Sequence, residues 1–298
     1  MKPARHAFFA LAFAASSVAA PPDDGLRFDS PRVVDLSSRV RELDTADVPI
    51  VALAPDAEAA ILAAPALAEG DPSLPFASDA LHCADDARCA AQAEARLIDA
   101  EHGLVTRDGG TLRIAPPNGT PLRFVDYAIK ATRSADGDGA RHRFLGRIAN
   151  TGLLHVAIDF AHDSPGAFLI GADNGKVAFV HNGGDVAALS PGGGRIAVLN
   201  SLNAPAAVAI ADLDAQGPSL ALACRARVAG SRVVADAKGW HDANGFDIVL
   251  RRTDADGKPQ LLPLRLARDG GHWRVMARDT AAPAAFDDFS CRAPRQQF

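Results

Sequence analysis

Two stretches gather the residue types that acid–base or nucleophilic catalysis uses. The first is HVAIDFAHDSPG, with His155, Asp159, His162, Asp163 and Ser164. On a strand, His155 and Asp159 share one face, opposite Leu154, Val156, Ile158 and Phe160. At roughly 3.3 Å per residue they stand about 13 Å apart, too far to share a metal or a proton directly. His162 and Asp163 fall at the following turn. Ser164 lacks the G-x-S-x-G elbow that would expose a nucleophile. The second stretch is VHNGGD, where His181 closes a strand and Asp185 follows a glycine pair. Hairpin chemistry alone accounts for Asn182, Gly183 and Gly184. His155, Asp159 and His181 are therefore the catalytic candidates, for a hydrolase or lyase. The plain alternative is a solvated strand face with polar turns.

Carboxylates at alternate positions point to a hard cation instead. DLDAQGPSLAL (Asp212 to Leu222) and DADGKPQLL (Asp254 to Leu262) resemble the D-x-D-x-D-G-x-x-D loops of FG-GAP propellers, and DANGFDIVL (Asp242 to Leu250) does so less fully. The resemblance implies Ca²⁺, which needs roughly six to eight oxygens. Asp212, Asp214, Asp254 and Asp256 are the ligand candidates. Gln216 and Gln260 stand where further carboxylates are expected, and lost charge lowers affinity. The expectation is that Asp and Gly serve the turns and that the chain carries no cofactor. H-E-x-x-H and C-x-x-C are absent, and GADNGKV is too short for a phosphate loop. PGGGRIA precedes a strand, so it is not a dinucleotide fingerprint. Trp240 and Trp273 read as core.

The chain of 298 residues opens with MKPARHAFFALAFAASSVAA. A basic start, an apolar run from Ala7 to Ala15 and small residues after it have the layout of a secretory signal peptide. The run is too short to span a bilayer, and no later segment is apolar enough to do so. Removing Lys2 and Arg5 lowers the net charge from −5 to about −7, a surface that repels nucleic acid and anionic lipid. The expected location is periplasmic or secreted. The expected partner is an envelope protein, a peptide or a glycan.

Four cysteines in an exported chain point to disulfides. Cys83, Cys89, Cys224 and Cys291 allow three pairings; proximity favours Cys83–Cys89, which leaves Cys224 for Cys291. C-x5-C is not a usual zinc spacing. The tail after HWRVMA has little apolar periodicity, so a bridge at Cys291 would fasten it across the last repeat.

Three regions follow. Residues 1–20 are the signal segment. Residues 21–100 are an Ala/Pro-rich, loosely packed extension with a helix in PDAEAAILAAPALAEG, broken by Pro65, and a second helix over Ala84 to Ala100. On that second helix Cys89, Ala93, Leu97 and Ala100 share a face. Residues 101–298 are an all-β domain. Short apolar strands there are closed by Asn-Gly, Asp-Gly or Pro, the signals of tight hairpins. The strands group from Leu104 to Asp126, Arg141 to His181, Val186 to Arg225 and Ser231 to Ala277, a period of roughly 40 residues. That arrangement predicts about four propeller-like antiparallel repeats of four strands each.

The phrase Ser190-Pro191-Gly192-Gly193-Gly194-Arg195-Ile196-Ala197-Val198 resembles the S-P-D-G-x-x-I-A-V opening of an inner blade strand in TolB-type β-propellers. Ser164 to Ile170 echoes it. Gly192 replaces the usual Asp and still suits the turn. The wider stretch is similar to secreted bacterial proteins with propeller-like repeats, a resemblance that brings a fold and no activity. The functional expectation is a secreted, non-catalytic binding or scaffold module.

Overall fold

The computed structural model describes residues 26–29, 46–67, 87–128, 139–160, 166–181, 186–200, 206–226, 233–253, 256–278 and 289–293. The signal segment, His162, Asp163, Ser164, Asp185, Asp254 and Cys83 lie outside them. The predicted strand groups each fall within one sheet, but the sheets hold four, five, six and five strands rather than four each.

The first sheet holds β4 (Val105–Asp108), β5 (Thr111–Ile114) and β6 (Leu122–Val125), with β1 (Leu26–Asp29) added in parallel beside β6. The second runs β7 (Tyr127–Ala128), β8 (Gly139–Arg147), β9 (Leu153–Phe160), β10 (Gly166–Gly171) and β11 (Val177–His181) in chain order. The third runs β12 (Val186–Leu189), β13 (Arg195–Asn200), β14 (Ala207–Asp214) and β15 (Gly217–Ala226). Two more strands extend it, β20 (Phe289–Ala293) and then β2 (Ala46–Asp47). Ile196, Val208 and Leu220 thus sit on neighbouring strands of one sheet, as the repeat reading requires. The fourth sheet runs β16 (Val234–Asp242), β17 (Gly245–Thr253), β18 (Pro259–Asp269) and β19 (His272–Ala277), with β3 (Ile50–Ala52) parallel to β19. The meanders are antiparallel, and among the described residues the sheets close no barrel.

The sheets stack in chain order through three cores. Leu112, Ile114 and Phe124 of the first meet Phe144, Val156 and Phe168 of the second. Leu153, Leu169 and Val180 of the second meet Ile196, Val198 and Leu220 of the third. Leu199, Ile210 and Leu222 of the third meet Phe246, Ile248 and Leu264 of the fourth. Among the described residues no core cluster joins the first sheet to the fourth. Thr106 and Arg113, on the far side of the first sheet from its core, are exposed. The far face of the fourth is covered by helix α1 (Pro55–Ala63), whose Ile61 packs with Leu53, Val249 and Met276.

Composition suggested a loose extension between residues 21 and 80. Residues 46–67 instead add edge strands to the third and fourth sheets, cover the fourth with α1, and end where the Leu67 N–H donates to the Ala237 carbonyl. Added edge strands borrow a ladder already formed, so they need little periodicity of their own. The tail is an added edge strand of the same kind. It returns to the third sheet as β20, where Cys291 stands opposite Cys224 in register and forms the expected disulfide. Cys89 is also disulfide-bonded. It lies on helix α2 (Ala87–Ala100), where Ala93 and Leu97 pack inward and Ala100 is exposed.

Candidate functional site

Among the described residues, β8 has no neighbouring strand beyond Ala140 on the side of β7, which pairs through Tyr127 and Ala128. Buried backbone groups there still need partners. Three charged side chains supply them. Asp126, where the chain crosses from the first sheet to the second, accepts the His142 N–H through Oδ1 at 2.7 Å. Arg107 donates through Nη2 to the His142 carbonyl at 2.5 Å. Glu94 on α2 accepts the Phe144 N–H through Oε1 at 2.7 Å. Together they take the place of a strand.

They also bind one another. Arg107 Nη2 donates to Glu94 Oε1 at 2.9 Å and Nη1 to Asp126 Oδ2 at 3.2 Å. His142 is wholly buried, with Nδ1 at 3.1 Å from Asp126 Oδ1 and its ring 5.5 Å from Phe124 and 6.2 Å from Phe168. Among the described residues its Nε2 has no hydrogen-bond partner. An Asp–His pair of this kind can orient an imidazole for proton transfer, but this ring is wholly buried beside Phe124 and Phe168. Burial pushes the Asp126 carboxyl up. The hydrogen bonds from His142 and the Arg107 charge outweigh that and hold it below its usual value.

A second polar constellation follows the hairpin turns at one end of the stack. In the β5–β6 turn, Asn118 donates from N to the Asp173 carbonyl at 2.9 Å and from Nδ2 to Asp173 Oδ1 at 2.7 Å. In the β10–β11 turn, Asn174 Nδ2 donates to the Gln216 carbonyl at 3.0 Å. At the start of β13, Arg195 reaches across to the β16–β17 turn, donating from Nη1 to the Ala243 carbonyl at 2.5 Å and to Asn244 Oδ1 at 3.0 Å. Each sheet is thus fastened to the next. Arg195 belongs to the SPGGGRIAV phrase, and its N–H is accepted by Ser190 Oγ at 3.0 Å. The guanidinium lies 6.0 Å over Trp273.

Two of the acidic phrases that resembled calcium loops sit on this rim, at the β14–β15 and β16–β17 turns, and the third follows β17 at the opposite end of the fourth sheet. Asp212 accepts from Arg195 Nε at 2.8 Å and from Arg268 Nη1 at 3.1 Å. Asp214 Oδ1 accepts its own turn's Gln216 N–H at 2.7 Å, and Asp242 Oδ1 accepts that of Asn244 at 2.6 Å. Asp256 lies in the turn before β18. Among the described residues no three His, Cys, Asp or Glu are grouped to hold a metal ion.

The residues nominated for catalysis lie on two strands of the second sheet, His155 and Asp159 on β9 and His181 on β11. His155 is fully buried between the second and third sheets. That face is not solvated as the strand alternation implied, because an inner sheet is covered on both sides. Burial, then the Arg143 charge, push its pKa down to about 3, so its imidazole is neutral. Asp159 stands opposite Arg141 in register, and His181 ends β11 opposite Gly166. Sequence reading missed Glu94, Arg107, Asp126 and His142. The one available signal was a Glu beside Ala93 on the inward face of an amphipathic helix. No family model, curated protein or solved structure matches the chain.

Proposed function

We propose that the mature chain is a secreted, periplasmic, non-catalytic binding or scaffold module whose four sheets are arranged like the blades of a propeller. The observation that carries this reading is the use made of polar side chains. Asp126, Arg107 and Glu94 complete a strand edge. Asp212, through Arg268, and Arg195 and Asn118 hold sheet to sheet. His155 is neutral and buried. These groups hold the scaffold together and are not poised to transfer protons or attack a substrate. The likeness of Ser190 to Val198 to a TolB-type blade phrase supports the same architecture, and fold alone assigns no activity. The signal-like N-terminus and the Cys224–Cys291 disulfide support export to an oxidising compartment.

Two measurements test the reading together. The tagged chain, expressed in a bacterial host, should appear in the periplasmic fraction, beginning at Ala20 or Pro21. Cross-linking of that mature form in an envelope extract should capture a saturable partner. Turnover of ester, peptide or glycoside substrates that disappears in His181→Ala would overturn the non-catalytic reading and install the hydrolase or lyase alternative.

A further inference from the structure

Three of the four sheets carry an additional strand beyond the last strand of the meander. β1 lies beside β6, β20 and then β2 lie beside β15, and β3 lies beside β19. The second sheet differs. It ends at β11, and among the described residues no strand pairs with β11 on the side away from β10.

β11 is an unusual edge. Ala178 and Val180 are buried in the core shared with the third sheet, while Phe179 is buried in, and Val177 packs against, the core shared with the first. No charge or proline interrupts Val177 to Val180, although edge strands are normally blunted by such residues. The Gly171 N–H donates to the Lys176 carbonyl. With that register, Ala178 and Val180 exchange hydrogen bonds with β10, and the Val177 N–H points to the outer side.

The geometry points to the outer edge of β11 as a docking site for an extended peptide strand of a partner protein, added by β-augmentation. This rests on the binding-module reading and names the chemistry of its partner. The added strand occupies the place that β1, β20 and β3 hold in the other sheets. Its alternate side chains extend the two cores that flank β11, so apolar residues suit both faces. Lys176, just before β11, favours a carboxylate at the adjoining end of the peptide.

The test uses the mature, oxidised protein and a display library of seven-residue peptides, with the strongest binder synthesised free. The expected result is an alternating apolar peptide that slows hydrogen exchange at the Val177 amide by about tenfold or more. Val177→Pro removes that outward donor without touching the β10 pairs, and should weaken binding by about tenfold, the worth of one well-made hydrogen bond. An intact Cys224–Cys291 bridge and an unchanged near-UV spectrum would show that the variant is folded. If it does not fold, exchange at Val177 in the unaltered protein decides. Peptides that bind and leave Val177 exchange unchanged overturn the edge site and leave the binding module standing. A Val177 amide already protected in the free monomer overturns it too, because this chain's own residues then cover the edge. Edge-paired dimers in sedimentation that peptide does not dissociate, or a library that yields no binder, do the same.

Discussion

At the scale of single residues, the buried polar groups decide how stability responds to pH. His155 has a native pKa near 3, against roughly 6.5 in the unfolded chain. Between those values the unfolded chain binds a proton that the native state refuses. The contribution of neutral His155 is therefore complete above about pH 6.5 and falls by roughly 1.4 kcal/mol per unit as pH drops toward 3. Asp126, depressed in the native state, keeps its contribution above its unfolded pKa near 3.9 and loses it further into acid. Urea midpoints measured from pH 7 to 4.5 should decline in the native sequence, and His155→Gln should flatten that slope by about one proton. An unchanged slope would mean that His155 is solvated. Glu94 gives a second expectation. Glu94→Ala leaves the buried Phe144 N–H without its acceptor and should cost about 2–4 kcal/mol. Glu94→Gln keeps an oxygen there and should cost less than half of that. Equal losses would show that the charge on Arg107, not the backbone contact, is what Glu94 serves.

At the scale of elements, the turns and the tail do what longer loops and larger cores do elsewhere. The β10–β11 turn lies so close to the β5–β6 turn that a Cβ on Gly119 would sit 2.1 Å from the Asn174 carbonyl oxygen. Gly217 has φ +112°, and a Cβ there would meet Lys176 Cβ at 2.6 Å. Gly217→Ala combines a left-handed strain with a clash between turns, and should destabilise by roughly 2–3 kcal/mol. A loss below about 0.5 kcal/mol in urea denaturation would mean that the two turns are not in contact. β20 is a five-residue strand between β15 and a two-residue β2, too little ladder to order the chain end alone. Cys224 and Cys291 are 67 residues apart in sequence, and a bridge over a loop of that size contributes about 2–4 kcal/mol. Cys291→Ser should lower stability by that amount and speed proteolysis of both β20 and the segment carrying β2. Loss of β20 alone would show that β2 is held by other contacts.

At the scale of the whole molecule, four small sheets make a row with two different ends. Inner sheets are buried on both faces, as the unbroken burial of GAFLIG in β10 shows. The two end faces are treated separately, one with exposed Thr106 and Arg113 and one with the cover of α1. Chelation tests what joins the sheets. Because Asp212, Asp214 and Asp242 already have guanidinium or amide partners, EDTA should shift the melting temperature by no more than about 2 °C. A Ca²⁺-dependent rise on the order of 10 °C would show that the acidic turns bind an ion and that these hydrogen bonds are its empty state.

The local pattern determined the repeat. Alternating apolar runs and Asn-Gly or Asp-Gly turns set the strands and the four meanders, because a two-residue period and a tight turn are properties of a few neighbouring residues. The helix ending at Ala100 and the Cys224–Cys291 pair were legible for similar reasons, one from amphipathic spacing and one from counting. Tertiary structure alone decided where the ends of the chain go, since β2, β3 and β20 are strands only because a finished edge accepts them. It also decided the character of the polar residues. His155 alternates with apolar neighbours as a solvent-facing residue would, yet a second sheet covers it. Asp126 and Glu94 are 32 positions apart and meet at β8 only because Arg107 and an unfilled strand edge bring them there. Spacing in sequence carries no record of such a meeting, because what draws these side chains together is the hydrogen-bonding demand of a backbone segment that belongs to none of them.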